Sequence, residues 1–119
     1  SEAYVLRQIA DKAVAFIEED QPYLQGSFTL AQLSEAIQSN PVLTSKAINR
    51  VLGETYTDLM NGYRVKHFLK LAREEKKGNL THWAIAQEAG FGNKVSFYKA
   101  FRKVMGTTPK LYLSQHPGE

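Results

Sequence analysis

Two lysines, Lys46 and Lys99, lie on polar stripes of what the apolar spacing predicts to be two amphipathic helices. The stripes consist of Val42, Ser45, Lys46 and Asn49 in the first helix and of Val95, Tyr98, Lys99 and Arg102 in the second. A long amine donor suits hydrogen bonding to guanine O6 and N7, and short neighbours let a helix approach bases and contact a thymine methyl. These residue types therefore indicate contact with the major groove of a duplex.

The opposite faces of the same helices carry the residues that we expect to be buried. They are Ala47, Ile48, Val51 and Leu52 in the first helix and Phe97, Ala100, Phe101 and Val104 in the second. Tyr98 could either stack on bases or cover the helix surface. The sequence leaves both roles open for this ring.

The two helices belong to an internal repeat. A shift of 52 residues aligns Thr29 with Thr81, and after one extra residue in the second turn a shift of 53 aligns Lys46 with Lys99. Further equivalent pairs are Leu33 and Ile85, Gly53 and Gly106, and Thr55 and Thr108. Each copy contains a short helix, a tight turn and a second helix, which is the helix-turn-helix pattern.

The two copies match this pattern unequally. The second has a small residue, Ala86, for close helix approach and a glycine, Gly90, for the turn. The first has Ser34 and Gln38 at the corresponding places. For the first copy, a helix pair that only builds a core therefore remains an equal alternative.

Helical spacing of apolar residues continues through almost the whole chain, and no stretch alternates convincingly with period two. Prolines, glycines and polar caps divide it into about seven helices. Thr29 and Thr81 are expected to cap helices, and Thr108 is expected at the start of the last one. The second helix of the first copy is expected over about 42–52, with Gly53 as a left-handed cap, and Gly106 ends the corresponding helix of the second copy. We predict an all-α domain over 1–119, with an N-terminal helix and connector over 1–28 and the first helix-turn-helix over 29–55. A linker helix over 56–73 joins it to the second helix-turn-helix and a terminal helix over 80–115.

The linker helix sets the expected distance between the two copies. About 18 residues at about 1.5 Å each give a rod of roughly 27 Å. Successive major grooves on one face of B-DNA lie about 34 Å apart. We therefore expect one chain to read a bipartite, non-palindromic site, with the DNA able to bend between the half-sites.

The composition argues against several other kinds of site. The 119 residues include no cysteine, which excludes disulfides, thiol catalysis and cysteine-ligated zinc. The three histidines lack metal-binding spacing, and no phosphate loop or nucleophile elbow occurs. We expect the acidic run 18–20 to be solvated. We therefore expect no enzyme activity, no cofactor and no metal.

The chain shows no segment for membrane insertion or secretion. Its longest apolar run, residues 13–17, is too short to span a bilayer, and no secretory segment opens the sequence. We expect a cytoplasmic protein. Because the sequence starts with Ser1 instead of methionine, we also expect it to be a piece of a longer protein.

The charge is distributed unevenly along the chain. Residues 1–40 carry 2 basic and 6 acidic side chains, whereas residues 41–119 carry a net charge of +7. Such asymmetry favours a polyanion as partner. One alternative is a helical protein-interaction module with a basic docking face, and another is a binder of RNA or single strands. Salt dependence of duplex binding and a preference for unpaired substrate would separate them.

A group of segments in the second copy has a familiar pattern, namely 85–91, 96–97, 101–103 and 106–109 with Tyr112. In these segments the chain resembles the C-terminal part of AraC/XylS-type transcription regulators. The resemblance extends back through 61–65 and 40–41 to 22–24, over about the last hundred residues. Residues 18–24 are also similar to the branch in which this domain follows a membrane-anchored or sensor-kinase segment.

The resemblance implies a bacterial activator or repressor that binds double-stranded DNA. Residues implied to contact base edges are Val42, Ser45, Lys46, Lys94, Val95 and Lys99. Residues implied to contact phosphates are Thr29, Asn49, Arg50, Thr81, Ser96, Arg102, Lys103 and Thr108, the last through backbone N–H groups at a helix start. Further implied partners are RNA polymerase and a covalently linked sensor or effector domain outside this chain.

The chain departs from the family pattern at two places. Val42 and Ser45 are short, so we expect the first unit to discriminate bases less strongly. His82 occupies a position that is usually apolar, and we expect Trp83 to supply part of the packing there.

Overall fold

A computed structural model describes residues 1–118 and shows α-helices with no strand among them. The helices are α1 (Glu2–Asp20), α2 (Leu30–Ala36), α3 (Pro41–Ala47), α4 (Tyr56–Glu74), α5 (His82–Glu88), α6 (Lys94–Met105) and α7 (Pro109–Gln115). A 3₁₀ turn covers Pro22–Leu24, and a π-helical segment covers Ile48–Leu52. The prediction of an all-α fold with about seven helices is confirmed. No helix within residues 1–118 is long and apolar enough to cross a membrane.

Three predicted threonine caps begin helices as expected. The hydroxyl oxygens of Thr29, Thr81 and Thr108 each accept a hydrogen bond from the backbone N–H three residues later, at 3.1, 3.0 and 3.2 Å. Each bond satisfies one donor that the first turn of a helix leaves without a partner. Helix starts at these places therefore follow from local sequence.

Both copies of the repeat form the same turn. The N–H of Ser39 donates to the Ser34 carbonyl at 2.8 Å, and the N–H of Phe91 donates to the Ala86 carbonyl at 3.0 Å. Gln38 and Gly90 precede these donors with positive φ angles of 58° and 108°. The sequence left open whether the first copy forms a helix-turn-helix or only a core-building helix pair. In the structure its turn has the geometry of the second copy.

The buried serine in the first turn is compatible with this packing because its hydroxyl has a partner. Ser34 is 1% exposed, and its Oγ donates to the Leu30 carbonyl at 2.8 Å. A satisfied buried hydroxyl avoids most of the cost of desolvation. Serine therefore substitutes for the alanine of the second copy.

The second helix of the first copy differs from the single helix predicted over 42–52. α3 ends at Ala47, and the chain continues as the π-helical segment Ile48–Leu52 up to Gly53, whose φ is 73°. Both second helices nevertheless begin with an asparagine cap, in which Asn40 and Asn93 accept from the backbone N–H three residues later, each at 2.9 Å. A π-helical turn widens the backbone, and such turns are frequent at functional sites.

The chain divides into two compact units. The first comprises residues 1–23 and 27–60, and the second comprises residues 24–26 and 61–118. In the first unit α1 packs on α3 and on the π-helical segment, and α2 packs on α3. Leu6 and Ala10 of α1 meet Ala47 in the core of this contact.

Aromatic rings build the core of the second unit. Phe68, Phe97 and Phe101 are fully buried, and the ring centroids of Phe68 and Phe97 lie 4.8 Å apart. Trp83 packs against the same cluster, as expected from the replacement of an apolar residue by His82. His82 itself is half-buried and meets Phe68 edge-on, with centroids 5.9 Å apart.

One residue predicted to be buried is exposed. Val104 is 45% exposed, so the prediction that it packs inside was wrong. The last turn of α6 instead uses Met105 for contact with the core, and Gly106 ends the helix directly afterwards. In the first copy Val51 and Leu52 are half-buried, whereas Ala47 and Ile48 are fully buried as predicted.

Candidate nucleic-acid interface

In the second unit, the outer side of α6 carries the predicted base contacts. Asn93 caps the helix, which places Lys94 and Val95 in its first turn and Lys99 in its second. All three side chains are exposed, and Val95 is 75% exposed. An apolar side chain that contributes nothing to the core is available for contact with a partner.

Tyr98 covers the surface of α6. Its ring centroid lies 4.8 Å from that of Phe97, and 39% of the residue stays exposed. This packing agrees with the covering role, and stacking on bases stays a prediction.

The predicted phosphate contacts of the second unit surround the same helix. Ser96, Arg102 and Lys103 are exposed on α6, the latter two in its last turn. Thr81 is exposed at the start of α5, and Thr108 is half-buried at the start of α7. Cations in the last turn also interact favourably with the helix dipole, so Arg102 and Lys103 stabilise α6 as well.

In the first unit, five of the predicted contact residues line one surface. They are Val42, Ser45, Lys46, Asn49 and Arg50, which with Pro41 line an open concavity of about 620 Å³. Val42 is 75% exposed, the same fraction as its repeat equivalent Val95. The structure therefore brings together the three predicted base contacts and two of the predicted phosphate contacts of this unit.

Thr29 is exposed at the start of α2, where its polar groups are engaged in a capping box. Its Oγ1 accepts from the N–H of Gln32 at 3.1 Å, and its own N–H donates to Gln32 Oε1 at 2.8 Å. The reciprocal bonds fix the N-terminus of α2. The hydroxyl also donates to Gln32 Oε1 at 3.3 Å, so a phosphate contact by Thr29 would replace that bond.

Analysis of the sequence missed Glu2 as part of this surface. Its Oε2 lies 3.1 Å from Lys46 Nζ, and its Oε1 lies 2.9 Å from Arg50 Nη1. The four-residue spacing of Lys46 and Arg50 signals that they share one helix face. Nothing in the local pattern signals a carboxylate from a position 44 residues earlier.

The surrounding cations affect ionisation of this carboxyl. The hydrogen bond and the charge of Lys46, together with Arg50, hold the pKa of Glu2 below its ordinary value. Glu2 is therefore negatively charged at neutral pH.

Histidines give no metal site in the described part of the chain. Among residues 1–118, no group of three His, Cys, Asp or Glu side chains could hold a metal ion.

Burial lowers the pKa of His82, and the charge of Lys110 acts in the same direction. Burial also lowers the pKa of His67, assisted by Lys70 and opposed by Glu74.

A family model agrees with this geometry. The model, described as a helix-turn-helix domain, matches residues 33–115, which include the turns and second helices of both copies. The chain belongs to the AraC-type helix-turn-helix family. The resemblance stated from the sequence is thereby confirmed. No curated protein matches this AraC-type chain significantly in sequence.

Solved structures show the same fold. The C-terminal domain of AraT, a response regulator from Geobacillus stearothermophilus, is 25% identical with a TM-score of 0.74, covering 93% of this chain and 88% of its own. A Listeria innocua protein of unknown function is 25% identical with a TM-score of 0.71, and coverage is 87% and 92%. A DNA-binding transcriptional dual regulator from Escherichia coli K-12 is 20% identical with a TM-score of 0.70, covers 90% of each chain and shows the fold alone. The family match and the AraT domain support a DNA-binding transcription regulator of AraC type.

Proposed function

We propose that this AraC-type domain binds double-stranded DNA in a sequence-specific manner, with α3 and α6 as its recognition helices. One observation carries the proposal. Both second helices present a valine that is 75% exposed and a lysine four residues later, at equivalent positions of the repeat. Four residues is about one helical turn, so each valine and lysine share a face.

The chemistry of that pair fits base edges. Lysine is a donor for guanine O6 and N7, and a valine methyl group can contact the methyl group of thymine. Ser45 adds a short hydroxyl beside Lys46, and Lys94 adds a second cation beside Val95. Together with Val42 and Lys99, these four residues are the proposed base contacts.

The polar groups around each helix fit the DNA backbone. The exposed ones are Thr29, Asn49 and Arg50 in the first unit and Thr81, Ser96, Arg102 and Lys103 in the second, where the half-buried Thr108 adds the start of α7. Such contacts set the position of a protein on the duplex, while base contacts specify the sequence. We assign these residues to phosphates.

We also propose that the two recognition helices occupy adjacent major grooves of one site. Support comes from the length of α4, whose 19 residues form a rod of about 28 Å at about 1.5 Å per residue. The domain would act as the output part of a longer cytoplasmic regulator, with RNA polymerase and a linked sensor or effector domain as partners. The proposed activity is binding and includes no catalytic step.

Selection of bound sequences from a pool of random duplex DNA tests the proposal. We expect enrichment of two short motifs with centres about 10 to 11 base pairs apart, one per groove. A double variant, Lys46→Ala with Lys99→Ala, provides the control because it removes two proposed guanine donors and should lose base preference at the positions that these lysines contact. Binding that shows no sequence preference, or a preference for single strands, contradicts the proposal.

A further inference from the structure

Two side chains assigned to DNA are already bound to an internal anion. The carboxylate of Glu2 contacts Lys46 Nζ through one oxygen, at 3.1 Å, and Arg50 Nη1 through the other, at 2.9 Å. A phosphate offers the same cations a similar pair of charged acceptor oxygens. Glu2 thus holds a place that a DNA phosphate or base acceptor would take.

We propose that Glu2 competes with DNA for Lys46 and Arg50, so that α3 binds a duplex only after this carboxylate releases them. The inference rests on the proposed function, because it assumes that both cations contact DNA. It adds a regulatory contact between α1 and the recognition helix. The contact lowers affinity for every duplex and does not abolish binding.

The position of Glu2 in α1 makes the competition effective. Ser1 caps this helix through its Oγ, which accepts from the Tyr4 N–H at 3.3 Å, and α1 packs on α3 and on the π-helical segment. Because the backbone at Glu2 is already ordered in α1, the carboxylate loses little further conformational entropy when it contacts the cations. A group held near its partner acts at high effective concentration.

The contact is nevertheless exposed enough to open. The side chains of Glu2 and Arg50 are 56% and 57% exposed, and that of Lys46 is 33% exposed. Exposed ion pairs are weak and are screened by salt. The polyanionic surface of DNA can therefore displace a single carboxylate.

Competition by Glu2 has a consequence for salt dependence. When a cation binds phosphate, DNA releases condensed counterions, and affinity falls as salt rises. A carboxylate freed at the same moment takes up a cation from solution, which offsets part of that release. Removing the Glu2 charge should therefore raise affinity and make the salt dependence steeper.

The test compares Glu2→Gln with Glu19→Gln. Both variants remove one negative charge from α1, but Glu19 is exposed near the other end of the helix. For Glu2→Gln we expect duplexes to bind about two- to tenfold more tightly at low salt, as for the loss of two exposed ion pairs. The slope of log K against log salt should steepen by up to about 1. Glu19→Gln should show at most a small general effect of net charge.

A second set of variants checks that the effect passes through the named cations. In a background of Lys46→Ala and Arg50→Ala, Glu2→Gln should no longer change affinity. Glu2→Asp keeps the charge at the helix N-terminus but shortens its reach, so we expect tighter binding than the unchanged chain and weaker than Glu2→Gln. Thermal unfolding of each variant confirms that it is folded.

The outcomes separate this inference from the proposed function. If the unchanged chain binds duplexes but Glu2→Gln and Glu19→Gln bind alike, the competition is overturned and the proposed function stands. An effect of Glu2→Gln that persists without Lys46 and Arg50 also overturns it. If no variant binds duplex DNA, both the proposed function and the inference fail.

Discussion

Lys46 and Lys99 have equivalent positions in the repeat but different surroundings. Lys99 is exposed on α6, whereas Lys46 is about one third exposed and paired with Glu2. A cation that must first leave an internal partner contributes less net binding energy than one that is solvated. At the scale of single residues, we therefore expect α6 to contribute more to base discrimination than α3.

Lys99→Ala tests this contribution. We expect it to weaken binding to a selected site by about 1–3 kcal/mol and to relax base preference at one position. Arg102→Ala is the matched control on the same helix, since loss of a phosphate contact weakens all duplexes similarly and lowers the salt slope by about 1. Titrations with the selected site and with random duplexes measure both effects. Equal losses on both DNAs for Lys99→Ala would refute its role in base contact.

His82 makes the stability of the second unit depend on pH. Its pKa is lowered in the folded state, chiefly by burial, so the unfolded chain binds a proton at higher pH than the folded chain does. Stability should therefore fall as pH drops through about 6.5, the ordinary histidine value, towards the lowered value. His67 has a pKa shifted in the same direction and adds to this dependence.

His82→Asn should flatten this dependence because it removes the proton-binding group. Melting temperatures measured between about pH 8 and pH 5, a range that spans the ordinary histidine pKa, check the expectation. His67→Asn is the comparison variant, and the double variant should be flatter than either. An unchanged slope in the double variant contradicts the assignment to these histidines.

At the scale of elements, the conformation of a turn depends on its own residues and also on contacts with residues far away in sequence. The connector before α2 approaches the second helix-turn-helix turn closely. A Cβ atom added to Gly26 would lie 2.9 Å from the backbone carbonyl oxygen of Gly90. Backbone atoms cannot move aside as a flexible side chain can, so glycine is required at this contact.

Gly26→Ala should destabilise the second unit by about 1–3 kcal/mol, as for overpacking in a well-packed site. Gly92→Ala is the matched control, because a Cβ there meets nothing within 4 Å and its φ is not in the left-handed region. Chemical denaturation of both variants measures the difference. Similar stability of the two variants would show that the backbone of the connector can shift to accommodate a Cβ atom at position 26.

At the scale of the whole molecule, the proposed function depends on two recognition helices in one chain. If they occupy adjacent grooves, the distance between the two half-sites is set by the protein. Five inserted base pairs rotate one half-site relative to the other by about half a helical turn. Ten inserted base pairs return both half-sites to the same side of the DNA but increase the distance between them by about 34 Å. We expect both insertions to reduce affinity to that of a single half-site.

Binding measurements with the original, five-pair and ten-pair sites check this prediction, and an isolated half-site serves as reference. Equal affinity for all three spacings would show that the halves bind independently. Full affinity with the ten-pair insertion alone would indicate that two chains share the site.

Much of this fold follows from interactions between residues that are close in sequence. The caps at Thr29 and Thr81, the helix start at Thr108 and the helix ends at Gly53 and Gly106 were predicted where the structure has them. Their hydrogen bonds span only three to five residues, so local residue types are sufficient. The repeat suggested one arrangement for both copies but left the first copy open, and the structure shows the same turn there with Gln38 at the position of Gly90.

Other features required the folded chain because they join residues far apart in sequence. Helical periodicity predicted Val104 to be buried, but the last turn of α6 contacts the core through Met105 instead. Periodicity indicates the apolar side of a helix and does not fix which residue of its last turn meets the core. The pairing of Glu2 with Lys46 links positions 44 residues apart. The sequence alone placed Lys46 on the polar face of a helix. The Glu2 carboxylate comes to lie beside it only because α1 packs on α3 in the folded chain.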